Sequence, residues 1–232
     1  MDITIFKVFI RFLGLTVVSA SSFLHSFSIS STIVGIYNLD ENMSSSVIDT
    51  VYKYDVVVEE NPKIPKGIEK VTKGQDGIYY LDANGKVFKT IQEKKNEVHV
   101  IGTGKEGNYT GLLTAYGPDC DTCDGIGVVA CPNERGHFHN LIKEGIYYND
   151  KEYGQVRIVA ADHREFPCGT IVKIKNPDMD EFTAVVIDTG YAMRKSYEGG
   201  LIHMDLAYST ERGLNRFPTS YQTKFSVQRW GW

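Results

Sequence analysis

Three aspartates close or interrupt apolar runs in the second half of the chain: Asp162 ends "VRIVAAD", Asp188 ends "AVVID" and Asp205 sits within "LIHMDLAY". A carboxylate carried on a strand has a rigid mount, which catalysis by positioning requires. Burial and neighbouring like charge keep one acid of such a set protonated near neutral pH. That acid can give a proton and, once ionised, take one back, so the residue types fit general acid–base chemistry. A plainer reading stands beside this one. Aspartate before a turn also caps backbone N–H groups, and Asp188 before Thr189-Gly190 and Asp162 before "HREFP" both suit that role. Asp205, inside an apolar strand, is the hardest to explain that way.

The elements that must position these acids read as short strands. "QVRIVAAD", "GTIVKIKN", "FTAVVID" and "LIHMDLAY" follow one another at barrel-like spacing. Alternate strand residues share a face. Ile202, Met204, Leu206 and Tyr208 make one apolar face, and His203, Asp205 and Ala207 make the other. "YTGLLTAYGPD" is a strand that breaks at Gly-Pro, and "KFSVQRW" is the last strand. "STERGLNRF" reads as a short helix with Ser209 as N-cap and Glu211 in its first turn. Many short strands with one helix predict a compact closed barrel.

Ahead of it, residues 51–104 show no helical period. "VYKYDVVVEENPKIPKG", "GIYYLDANGKVFKTI" and "NEVHVIGTG" predict a small, flat β module, with Asn84-Gly85 as a type I′ hairpin turn. "LDENMSSSVIDT", residues 39–50, reads as a polar linker. Residues 1–38 differ again. After Lys7 and Arg11, no Asp, Glu, Lys or Arg occurs from Phe12 to Asn38. A basic start, a short apolar core and small residues at Ser19-Ala20 fit a secretory signal. The uncharged stretch also exceeds the roughly 20 residues that span a bilayer, so an uncleaved membrane anchor is the alternative, and a buried N-terminal helix is a third. The first two place the rest of the chain outside the cytoplasm. The net charge of −4 over 232 residues makes nucleic acid a poor partner.

All four cysteines, Cys120, Cys123, Cys131 and Cys168, lie in the second half. An even count in an exported chain predicts disulfides, with three connectivities open. "CDTCDGIGVVAC" with His137 or His139 of "HFH" offers zinc as the alternative, although a second Cys-x-x-Cys is missing.

Two family resemblances sharpen these readings. "NPKIPKGIEKVTKGQDGI" and the closing "VIGTG" resemble the G-five domain, an extracellular β module of bacterial surface and cell-wall enzymes. This implies either a spacer or a binder of amino sugars of the wall. "VAADHREFPCGTIVKI", "AVVIDTGYAMR" and "IHMDLAY", opened by "YTGLLTAYGPD", resemble the three-aspartate domain over about residues 109 to 230. That family extends to membrane-bound lytic transglycosylase A and resuscitation-promoting factors.

The second resemblance implies a six-stranded double-psi β-barrel over residues 109–232. It also implies cleavage of the MurNAc–GlcNAc β-1,4 bond of peptidoglycan with a 1,6-anhydro product. The sugar's own C6 hydroxyl is then the nucleophile, so one acid/base suffices and no cofactor is needed. Asp205 matches the position of that acid/base, with Asp188 and Asp162 raising its pKa and holding it by hydrogen bonds. Thr114, Tyr116, Thr189, Tyr191 and His203 surround the acids and are candidates for glycan contact. The chain departs from the family after Asp188, where Tyr191 replaces a second glycine and the loop is longer. As a lone histidine, His203 reads as a surface residue or as a proton-sharing partner of Asp205. The cysteine-rich insert resembles a subset of these domains from Gram-positive prophages, which implies a cell or a phage particle as the setting. A glycan-binding module that does not cut, and a zinc-dependent reading, remain as rivals.

Overall fold

The computed structural model describes residues 32–35, 48–121, 123 and 125–232. The predicted signal or anchor segment therefore lies outside the described residues except for a strand at 32–35, as does the predicted linker up to residue 47. The architecture is mainly β, with sixteen strands and one α-helix among the described residues. Two compact units result. The first takes the described residues up to Val58 together with Thr72–Val98, and the second takes Glu59–Val71 and His99–Trp232. The boundary thus cuts through the predicted 51–104 module.

In the first unit, β1 (Thr32–Gly35), β2 (Ile48–Tyr52), β5 (Gly77–Leu81) and β6 (Val87–Gln92) form an antiparallel sheet in the order β1-β2-β5-β6. β2 begins at Ile48, inside the segment read as linker. The β5–β6 turn is wider than the expected two-residue type. Asp82 N donates to Lys86 O, Gly85 N donates to Asp82 O, and the Asp82 carboxylate accepts from the Asn84 and Lys86 N–H groups. Gly85 takes a left-handed φ of 76° there. The aspartate side chain supplies the extra closure that a two-residue turn does without.

In the second unit, most of a three-stranded sheet, β3 (Val56–Pro65), β7 (Glu97–Gly104) and β4 (Glu69–Thr72) in the order β3-β7-β4, precedes the larger assembly. That assembly contains β8 (Asn108–Tyr116), β11 (Tyr147–Asp150), β12 (Gly154–Ala160), β13 (Thr170–Lys175), β14 (Phe182–Asp188), β15 (His203–Ala207) and β16 (Ser220–Arg229). Their order is β11-β12-β14-β13-β16-β8-β15, and β12 also pairs with β15. β12 runs parallel to β14 and β8 parallel to β15, while the other pairs are antiparallel.

The continuous apolar run of β14 follows from burial on both faces. Ala184 and Val186 enter one core with Val159, Val172, Met204, Leu206 and Phe225. Val185 and Ile187 enter a second with Val156, Ile158 and Ile171, covered by Val129, Cys131 and Leu141. The covering strands are β9 (Val128–Pro132) and β10 (Phe138–Asn140), which pair antiparallel. On β15, Met204 and Leu206 face the first core, with Ile202 and Tyr208 packed beside them, and Ala207 faces the second. The predicted two faces of this strand are those observed.

Two helix expectations change. Ser209–Phe217 forms only a 3-10 turn at Leu214–Arg216, because Gly213 at φ 89° breaks the run and Asp119 captures the Thr210 hydroxyl and the Glu211 N–H. The segment after Asp188, read as a loop, is instead α1 (Tyr191–Glu198). "YAMRKSYE" is rich in helix formers, and Met193 buries the inner side of the turn. Gly200 at φ 78° ends the helix, and its N–H donates to Tyr197 O.

Candidate active site

Four elements bring the site residues together. β8 supplies Thr114 and Tyr116, β14 ends in Asp188, α1 supplies Ser196, and β15 carries His203 and Asp205. Pairing sets the register. Asp205 lies opposite Thr114 on β8 and Ala160 on β12, and Ala160 in turn lies beside Asp188.

Asp205 is half-buried, and Thr114 Oγ1 donates to its Oδ1 at 2.6 Å. Burial raises its pKa from 3.8 to about 6; the Thr114 hydrogen bond opposes the rise, and the charges of Glu211 and Asp188 add to it. Asp188 is also pushed up by burial, against hydrogen bonds from the Tyr116 hydroxyl at 2.5 Å and from the N–H groups of Thr189 and Ala130. Tyr116 is itself held well above the usual phenol range by burial and by Asp188. Two acids with raised pKa, one of them near 6, give the site a group able to exchange a proton at physiological pH.

Asp162 is placed differently from expectation. Its carboxylate accepts from the Arg164 backbone N–H at 2.8 Å and from the guanidinium, the closest contact being 2.5 Å. Arg164 holds its pKa below the usual carboxylate range, against burial. The charge is thus neutralised locally, and Asp162 is not among the groups that raise Asp205. Arg164 also donates to the Arg194 carbonyl and stacks on the Tyr197 ring, so this pair braces α1. The second acid acting on Asp205 beside Asp188 is Glu211, which also accepts from Gly117 N–H at 2.7 Å just past β8. The sequence marks Glu211 only as a first-turn residue, because this contact joins it to a partner 94 residues away.

His203 is not a surface residue. It is only 9% exposed, and its two ring nitrogens lie 2.8 Å from Thr114 Oγ1 and 2.9 Å from Ser196 Oγ. Of the other candidates for glycan contact, Tyr116 spends its hydroxyl on Asp188, Thr189 lends its N–H to the same acid, and Tyr191 is 69% exposed on α1. Two cavities in the second unit lie elsewhere, one lined by Lys63, Tyr148, Arg229 and Trp232 and the other by Tyr109, Thr110 and Lys224.

The cysteines form two disulfides, Cys120–Cys123 and Cys131–Cys168. His137 pairs with the Glu144 carboxylate and His139 with the Gly145 carbonyl, so "CDTC" and "HFH" are engaged separately. Cys131, His163 and Cys168 do lie within one ligand radius, but both sulfurs are bonded to each other. Cys131 is two residues past Val129 on β9, and Ala130 between them donates to Asp188. The disulfide therefore ties down the strand that hydrogen-bonds one of the acids. Among the described residues, no helix is long and apolar enough to cross a membrane. Comparison with protein-family models, curated proteins and solved structures gives no match to this chain.

Proposed function

We propose that residues 109–232 form a six-stranded double-psi β-barrel of the three-aspartate type that cuts peptidoglycan glycan strands as a lytic transglycosylase. The barrel reading is supported by the pairings: β12-β14-β13-β16-β8-β15 return to β12, and two of the six pairs are parallel. The single observation that carries the activity is Asp205, a partly exposed carboxyl on a buried strand with its pKa raised to about 6.

Asp205 protonates the glycosidic oxygen between MurNAc and GlcNAc as the bond breaks. The resulting carboxylate takes the proton of the C6 hydroxyl as that oxygen closes on C1, giving the 1,6-anhydro end. No water is added, so no second carboxylate is required to activate one. Asp188 and Glu211 contribute negative charge that keeps Asp205 protonated before the cut. A long glycan is a polymer that lies along a surface, which suits a half-exposed acid. The two disulfides fit an oxidising, extracytoplasmic setting at the cell wall. Residues 51–104 serve as a G-five-like spacer or amino-sugar binder.

Digestion of purified sacculi tests this reading. A product about 18 Da lighter than the hydrolytic muropeptide marks an anhydro end, one water fewer per cut. Absence of any new glycan end rejects it. A second reading, glycan binding without cleavage, is favoured by one observation: both Asp188 oxygens are taken by the protein itself, leaving Asp205 as the open acid.

A further inference from the structure

Thr114 has one hydroxyl hydrogen and stands between two partners, Asp205 Oδ1 at 2.6 Å and His203 Nε2 at 2.8 Å. This fixes the directions of the hydrogen bonds. An ionised Asp205 only accepts, so Thr114 donates to it and accepts from His203, whose ring hydrogen is then on Nε2. Nδ1 is bare in that state and accepts from the Ser196 hydroxyl at 2.9 Å. With a proton on Oδ1 the chain runs the other way. Asp205 donates to Thr114, Thr114 donates to Nε2, and the ring hydrogen sits on Nδ1. Ser196 Oγ meets it there as an acceptor. Both tautomers therefore find partners with the same heavy-atom positions.

We propose that His203 is a positioning residue whose tautomer follows the protonation state of Asp205 through Thr114. A proton from solvent enters at the half-buried Ser196 hydroxyl, which passes its own hydrogen to Nδ1; Nε2 then releases its hydrogen to Thr114, and Thr114 passes its own hydrogen to Asp205 Oδ1. One proton enters, one is delivered, and the ring is neutral before and after. This inference rests on reading Asp205 as an acid that becomes a base within one reaction. The relay keeps both forms of that acid hydrogen-bonded while no side chain moves. Burial supports a neutral ring by holding the His203 pKa below its usual value, although the Ala192 carbonyl works in the opposite direction. The titratable and charged groups around the pair are Tyr116 from β8, Asp188 from β14, Glu211 after β15 and Arg157 from β12, whose guanidinium donates to the Ala207 carbonyl.

Nitrogen-15 histidine and carbon-13 aspartate NMR on the whole protein tests the relay without using activity. His203 is expected in the Nε2–H form at pH 8 and to shift toward Nδ1–H with the same midpoint as the Asp205 carboxyl. Thr114→Val is expected to abolish this shift across the Asp205 titration, and Thr114→Ser to keep it. A His203 tautomer that stays constant while Asp205 titrates overturns the proposal, as does retained coupling in Thr114→Val. If Thr114→Val does not fold, wild type and Thr114→Ser still decide. Lost coupling with intact glycan cleavage sinks the relay alone; intact coupling without cleavage sinks the enzymatic reading alone.

Discussion

The Tyr116 hydroxyl lies 2.5 Å from Asp188 Oδ2 although 72 residues separate the two. The other carboxylate oxygen takes the N–H groups of Ala130 and Thr189, so Asp188 joins β8, β9 and β14 at one point. Asp188→Ala would leave a buried phenol and two backbone donors without this acceptor. Loss of the phenol's partner costs about 1–3 kcal/mol, and the more exposed Ala130 and Thr189 donors lose less. Asp188→Ala is therefore expected to lower unfolding free energy by at least about 2 kcal/mol in urea denaturation, while Asp188→Asn, which keeps an acceptor oxygen, is expected to lose less.

Asp205→Asn removes the proton donor and keeps the side-chain shape. Loss of a general acid–base group typically costs about 10²–10⁴ in rate. Release of anhydro-ended muropeptides is expected to drop by that factor, while pull-down on insoluble glycan is unchanged. Equal product from wild type and variant would assign the chemistry to another group.

Asp205 also makes a pH-dependent mark on stability. Its folded pKa of about 6 is above the ordinary value of 3.8, so between these pH values the folded state binds the extra proton. Stability is then lost as pH rises through that window and is restored below it. Asp205→Asn escapes the penalty. The variant is expected to be more stable than wild type at pH 8, by up to about 3 kcal/mol before solvent screening, and no more stable at pH 3. Denaturant midpoints at the two pH values measure this, and a pH-independent difference would mean that Asp205 is solvated.

The two disulfides differ in what they close. Cys131–Cys168 spans 37 residues and Cys120–Cys123 spans 3. Chain-entropy arguments give about 4 kcal/mol for the first and about 2 kcal/mol for the second. Replacing both Cys131 and Cys168 with serine is expected to lower thermal stability clearly more than the Cys120/Cys123 pair, measured by calorimetry. Because β9 holds Asp188 through Ala130, the same variant is expected to reduce glycan cleavage.

Gly117 sits where a Cβ would come within 2.3 Å of the Thr210 backbone and 2.4 Å of the Glu211 nitrogen. Gly117→Ala is therefore expected to push the Glu211 segment away from its hydrogen bond. With that charge displaced, the midpoint of the Asp205 carboxyl, followed by carbon-13 NMR, is expected to move down. An unchanged midpoint would show that Glu211 does not act on Asp205.

The sequence by itself determined β8, β12 to β16 and the faces of β15. Val/Ile-rich runs ended by glycine and aspartate leave few other structures, and period-two alternation placed Met204 and Leu206 inward and Asp205 on the opposite side. It also singled out Asp188 and Asp205, since carboxylates in or closing apolar strands are conspicuous. It did not determine which groups act on them. Asp162 resembled its fellows in pattern, yet a guanidinium two residues away neutralises it. Glu211 had no local signature and the Thr114 contact of His203 had none, because their partners Gly117 and Thr114 are 94 and 89 residues distant. The cysteine pairing, α1 and the wide Asp82 turn were likewise settled by tertiary packing. Local propensity reports the backbone, whereas burial and charge at a site depend on which distant strands the hydrogen-bond register brings alongside.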